Sequence, residues 1–146
     1  MRTSIILSLA LLAACSYEVS EVEQSFRPHE DPFVLAYFEH LLAESGIDYK
    51  KNDLGYYVAP EKIIDEVYIP LGEKASEAGQ HTTAIVIQSE CSLVRLKQYL
   101  GSNGVVYRQF VEGGRTILQT TQMDSRTFNI DGHYAKYDHE CEIWKH

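Results

Sequence analysis

Cys91 and His133 are the side chains in this chain best placed by type for joint chemistry. Cys91 lies in Glu90-Cys91-Ser92-Leu93-Val94, where Leu93, Leu96 and Leu100 recur at helical spacing and predict a helix over 91–101. A thiol at a helix start favours the thiolate, the nucleophilic form, and a histidine could act as its base. A second grouping, His133, Asp138, His139, Cys141 and His146, crowds the C-terminus. Zinc takes four N, S or O donors in a tetrahedron. On a strand, His139 and Cys141 would point one way and Asp138 the other. His133, His139 and Cys141 are therefore the candidate ligands, though ordinary polar residues on a half-exposed strand would look the same. The rival for both sites is a structural bond between Cys91 and Cys141. No catalytic or metal site is favoured over it, and no cofactor is expected.

The Glu90-Cys91-Ser92 run resembles the Asp-Cys-Ser-Gly motif of NlpC-type cell-wall cysteine peptidases. That resemblance would make Cys91 the nucleophile and His133, in His133-Tyr134-Ala135-Lys136-Tyr137, the base. The chain departs from the motif: Leu93 stands where the family has Gly, Glu90 replaces Asp, and no Pro-Gly-Asp-Leu stretch follows. There is no Gly-x-Ser-x-Gly and no phosphate-binding glycine loop. Tyr56, Tyr57, Tyr107 and Phe110 could form an aromatic recognition patch or serve as cross-strand core pairs.

The N-terminus carries a different message. Arg2 is followed by an apolar run from Ile5 to Ala14, closed by Leu12-Ala13-Ala14-Cys15. The run is shorter than the roughly 20 residues a membrane helix needs and fits a signal h-region. This order resembles the signal peptide and lipobox of bacterial lipoproteins. The resemblance implies cleavage before Cys15, acylation of Cys15 by palmitate-type chains, and attachment to a membrane. Ser16 stands where Asp would resemble an inner-membrane retention signal, so the implied address is the periplasmic face of the outer membrane. Lipidation of Cys15 leaves Cys91 and Cys141 as an even pair in an oxidising compartment, where a disulfide is the expected state and two free thiols the alternative.

The chain has 146 residues with 21 Asp and Glu against 13 Lys and Arg, a formal charge of −8. Such a surface disfavours nucleic acid and anionic headgroups as partners held by charge. The expected organisation is a signal peptide over 1–14, a lipidated tether over 15–30 and a single domain over 31–146.

These residues need elements to position them. Asp31-Pro32 reads as a helix start, and Val34, Phe38, Leu41 and Leu42 continue it until Gly46. Strands are expected over 47–51, 56–59, 82–88, 105–111 and 115–122, a short helix over 60–68 and a polar loop over 70–80. Asp131-Gly132 reads as a hairpin turn leading into a long final strand over 134–144, with Ala135, Tyr137, His139, Cys141 and Ile143 on one face. Leu35, Phe38, Leu42, Gly46, Ile47 and Tyr49 recur as Leu93, Leu96, Leu100, Gly104, Val105 and Tyr107, at an offset of 58 residues. The expected fold is α+β: an antiparallel sheet with two principal helices on one face, whose recurrence reads either as two related α-β-β units or as the pattern any helix–Gly–strand unit gives. Residues 33–59 also resemble the ring-building modules of secretion and flagellar basal-body proteins, over one segment of common residue types. The expected function is non-enzymatic protein binding in an envelope or secretion assembly. The alternatives are an inhibitor or immunity protein against a periplasmic toxin, and a degenerate cysteine peptidase using Cys91 and His133.

Overall fold

The computed structural model describes residues 21–143, so the lipobox, Cys15 and His146 lie outside the described residues. In chain order it forms β1 (Glu23–Phe26), α1 (Pro32–Glu44), β2 (Lys50–Lys51), β3 (Tyr57–Pro60) and α2 (Glu61–Ile63). A wide π-turn over Ile64–Tyr68 then leads into α3 (Ile69–Gln80). The second half gives β4 (Thr82–Val86), α4 (Glu90–Ser102), β5 (Tyr107–Glu112), β6 (Arg115–Thr121), α5 (Gln122–Thr127) and α6 (Ile130–Ile143). The fold is α+β, with two antiparallel three-stranded sheets ordered β1-β3-β2 and β4-β6-β5.

The repeat in the sequence is a repeat in the fold. Asp31 caps α1 by accepting from the Phe33 N–H, and Ser89, at the same offset of 58, caps α4 by accepting from the Ser92 N–H. Both helices run thirteen residues. Both end on a glycine in the left-handed region, Gly46 at φ +67° and Gly104 at φ +66°, where a side chain would be strained. The next amides reach back identically, Ile47 N–H to Leu42 C=O and Val105 N–H to Leu100 C=O. Even a cross-element contact repeats: Glu39 pairs with Lys51, and the equivalent Lys97 bonds Gln109. Each half is thus a β-α-β-β unit followed by helix, with the same strand order.

Each unit has its own core. The first gathers Val34, Phe38, Leu42, Tyr57, Ala59, Ile64 and Tyr68; the second Ile85, Leu96, Leu100, Val105, Leu118 and Ile130. Their junction is polar and aromatic. Arg108 of β5 pairs with Asp31 at 3.0 Å and lies 5.3 Å over the Phe33 ring, while Val106 packs on the first core. The Gln122 N–H donates to the His81 carbonyl at 2.7 Å. Burial, with the Asp124 carboxylate nearby, pushes the Tyr37 hydroxyl up.

Three expectations need correction. Residues 70–80 are helix, not loop. Pro70 lacks the N–H for an α-type bond, and the π-turn absorbs it, with Ile69 N–H bonding Ile64 C=O. The buried face of α3 is made of Gly72 and Ala75, and Gly79 abuts Val34 so closely that a Cβ there would fall 2.5 Å from Val34 Cγ2. Small residues let α3 approach α1, and they leave a weak apolar stripe of Leu71, Ala75 and Ala78. Second, 128–143 holds no hairpin and no strand: Asp131-Gly132 sits in the first turn of α6. Ile130, Tyr134, Tyr137 and Cys141 recur at i, i+4, i+7 and i+11, and this helical stripe outcompetes the alternation that predicted a strand. Third, the tether does not extend to residue 30. Glu23–Phe26 pairs antiparallel with β3, and Phe26 packs on the first core.

Candidate functional site

Helices α4 and α6 run antiparallel and meet in steps of one turn. Cys91 is bonded to Cys141, with Cα atoms 6.0 Å apart. One turn on, Arg95 pairs with Glu140 and lies 5.3 Å over the Tyr137 ring. A turn further, Tyr99 stacks on His133 with ring centroids 4.0 Å apart. The disulfide takes Cys91 out of use as a nucleophile. His133 stacks two turns along α4 from it, about 12 Å by helical rise, so the structure does not bring thiol and base together. Cys141 is 2% exposed and faces inward, as expected, but on a helix.

The same helix dissolves the proposed zinc set. His133 and His139 are six residues apart on α6, on well-separated sides, and Cys141 is committed to Cys91. Among the described residues, no group of three or more His, Cys, Asp or Glu could hold a metal ion.

The aromatic patch also divides. Tyr57 is fully buried, Tyr56 lies under the Arg27 guanidinium, and Tyr107 packs against the second core. Phe110 alone stays at the surface, and the structure supplies it with neighbours that spacing did not reveal. Register places Val86, Ile117 and Phe110 in one row across β4, β6 and β5, on the sheet face opposite Ile85 and Leu118. Val86 and Phe110 are each 36% exposed, and the adjacent Val111 is 69% exposed.

β5 is an edge strand. Thr116 turns its carbonyl toward Ile87 on the β4 side, at 2.9 Å. Val111, opposite Thr116 on β5, therefore directs its own N–H and C=O away from the sheet, as does Gln109 by alternation. Arg108 anchors the inner end of β5 to α1, while its outer end carries exposed apolar side chains beside an open row of backbone donors and acceptors. Such an edge is a template for another strand. The signal for it lay in Val105–Val111 read with the Gly113-Gly114 turn, but which edge stays open depends on strand order.

A third cluster is structural. Burial would raise the Glu39 carboxyl, but hydrogen bonds from Lys51 and Tyr57 outweigh it and hold Glu39 below its ordinary value. Burial and the same carboxylate push the Tyr57 hydroxyl up. A carboxyl lowered on folding contributes stability that is complete above its unfolded value, 4.5, and is lost as pH falls through the folded one. Glu39→Gln is expected to lower the urea midpoint at pH 7, with the gap to wild type closing as the pH falls below 4.5. A gap that stays constant down to pH 3 would show that the carboxylate charge contributes nothing.

No protein-family model, curated protein or solved structure matches this chain.

Proposed function

We propose that this chain is a lipid-anchored envelope protein that recognises another protein through the β5 edge of its second sheet. The anchor is Cys15, and the location is the periplasmic face of the outer membrane; both rest on the order of charged, apolar and lipobox residues in 1–15. None of the helices in the described residues is long and apolar enough to cross a membrane. The reading of a binding module rests on one observation: among the described residues, β5 leaves its outward N–H and C=O groups open beside exposed Phe110 and Val111. An added strand would gain main-chain hydrogen bonds from Gln109 and Val111 and cover the exposed Phe110 and Val111 beside it. The setting is an envelope or secretion assembly, in which the partner is a protein and neither a membrane surface nor nucleic acid is held by this acidic chain.

Two expected results test this reading. Cys15→Ser is expected to move the chain from the membrane to the soluble fraction, with the intact mass losing its acyl chains. An unchanged distribution would sink the anchor. Val111→Pro removes one outward N–H without touching the β5–β6 ladder, a substitution that edge strands tolerate. A photo-crosslinker at Gln109 in intact cells is expected to give a protein adduct that Val111→Pro abolishes while the melting temperature stays within a few degrees. An adduct that survives the substitution would remove β5 from recognition.

A further inference from the structure

The cleft between α3 and α5 is a site that strand recognition does not use. It encloses about 530 Å³, with Lys74, Ala78 and His81 on the α3 side and Met123, Arg126 and Thr127 on the α5 side. Its walls come from different units, bridged by the Gln122 N–H to His81 carbonyl bond. Lys74, Ala78 and His81 are spaced at i, i+4 and i+7, and Met123, Arg126 and Thr127 at i, i+3 and i+4. Each set is one helical stripe facing the other.

The chain carries −8, and six of its cations, Arg27, Lys50, Lys51, Arg95, Arg108 and Lys136, sit against carboxylates. Lys74 and Arg126 have no such partner among the described residues; neither do Lys62, Lys97 and Arg115, but of the five only Lys74 and Arg126 line this cleft. One cation stands on each wall, with the apolar Ala78 and the exposed Met123 also lining the space. Glu77 lies on the α3 rim and offsets part of this charge, which argues against a ligand held by diffuse attraction alone and for one that reaches both cations.

We infer that this cleft is a binding site for a small organic dicarboxylate, one carboxylate paired with Lys74, the other with Arg126, and the aliphatic body against Ala78 and Met123. Arginine offers a carboxylate two parallel donors, and lysine a point charge, so both ends are held by charge-assisted bonds. A ligand that spans the cleft ties the two units together and stabilises the fold by linkage.

The test is a nuclear magnetic resonance titration of the soluble chain from residue 16 with glutarate, and with glutaramide as the uncharged analogue, at constant ionic strength. Glutarate is expected to give saturable shifts confined to residues 74–81 and 121–127, and glutaramide none. Lys74→Gln and Arg126→Gln, both at exposed positions, are each expected to weaken binding about ten-fold, the loss of one charge-assisted bond. Their spectra outside the cleft report that the fold is kept. No saturable shift with glutarate, equal shifts with glutaramide, or binding that survives both substitutions would each overturn the assignment. Because β5 takes no part in this cleft, the outcome is independent of the strand-addition reading.

Discussion

Phe38→Ala is expected to destabilise the protein by about 3–5 kcal/mol, the usual cost of emptying a buried phenylalanine site. Phe38 is fully buried at the centre of four rings. Its centroid lies 4.9 Å from Tyr57 and 5.8 Å from Tyr68, both edge-on, and 6.1 Å from Phe26. Those three rings come from β3, the π-turn and β1, so one side chain of α1 fastens three other elements. The surrounding rings cannot collapse into the space: Tyr57 is held by its hydroxyl bond to Glu39, and Tyr68 and Phe26 contact each other across it. The edge-on pairs add to the loss beyond area burial, by about 0.5–1.5 kcal/mol each. Against a typical domain stability of about 5–15 kcal/mol, the substitution would consume a large part of the total. Urea unfolding followed by tyrosine fluorescence measures it. A loss under about 1 kcal/mol would mean that the cluster repacks and is not the centre of the first core.

Breaking the disulfide is the second large effect. Cys91 and Cys141 are 50 residues apart, and the chain-entropy relation for such a loop gives about 4 kcal/mol. Cys91 itself is exposed, so Cys91→Ala removes the bond without opening a cavity. The other contacts of the C-terminal half of α6 are weak. Arg95–Glu140 and Lys136–Glu140 are surface pairs, each contributing about 0–1 kcal/mol, and between Ile130 and Cys141 no α6 residue is buried. The expected result is a fall in melting temperature of roughly 12–20 °C under oxidising conditions. Wild type in reductant should fall to match it, and amide exchange should speed up first in residues 135–143. Equal melting of wild type and Cys91→Ala would show that stacking of Tyr99 on His133 and burial of Ile130 already hold α6.

The comparison of the two units explains why that staple is there. Phe33 and Tyr37 on α1 face the second unit, through Arg108 and Asp124. Their equivalents on α4 are Cys91 and Arg95, and these face α6 instead. In the second unit, α6 covers the side of the helix that in the first unit meets a neighbouring module. It closes the two-unit array, and the disulfide secures a helix whose own apolar stripe is narrow.

Several elements were legible because their signals are local. Asp31-Pro32 and Gly46 specify where α1 starts and stops, since caps and left-handed residues depend on a few neighbouring atoms. The Gly113-Gly114 hairpin and the pairing of Cys91 with Cys141 follow in the same way from turn chemistry and cysteine parity. Where two readings shared residues, the choice was not local. Tyr137 and Cys141 satisfy both a strand alternation and a helical stripe, and only packing of Ile130 and Tyr134 on the second unit selects the helix. Nor was α3 read as a helix, because its contact face is mostly small, Gly72, Ala75, Ala78 and Gly79, with Leu71 as its large apolar residue.

The sequence by itself therefore determined the α+β class, the recurring helix–Gly–strand pattern and the disulfide. Each follows from short-range backbone chemistry or from cysteine parity. Tertiary structure alone decided the helical character of residues 69–80 and 130–143, the separation of His133 from Cys91, the open edge at β5 and the cleft between α3 and α5. These depend on which strand ends a sheet and which helices abut, and such contacts join residues that are distant along the chain.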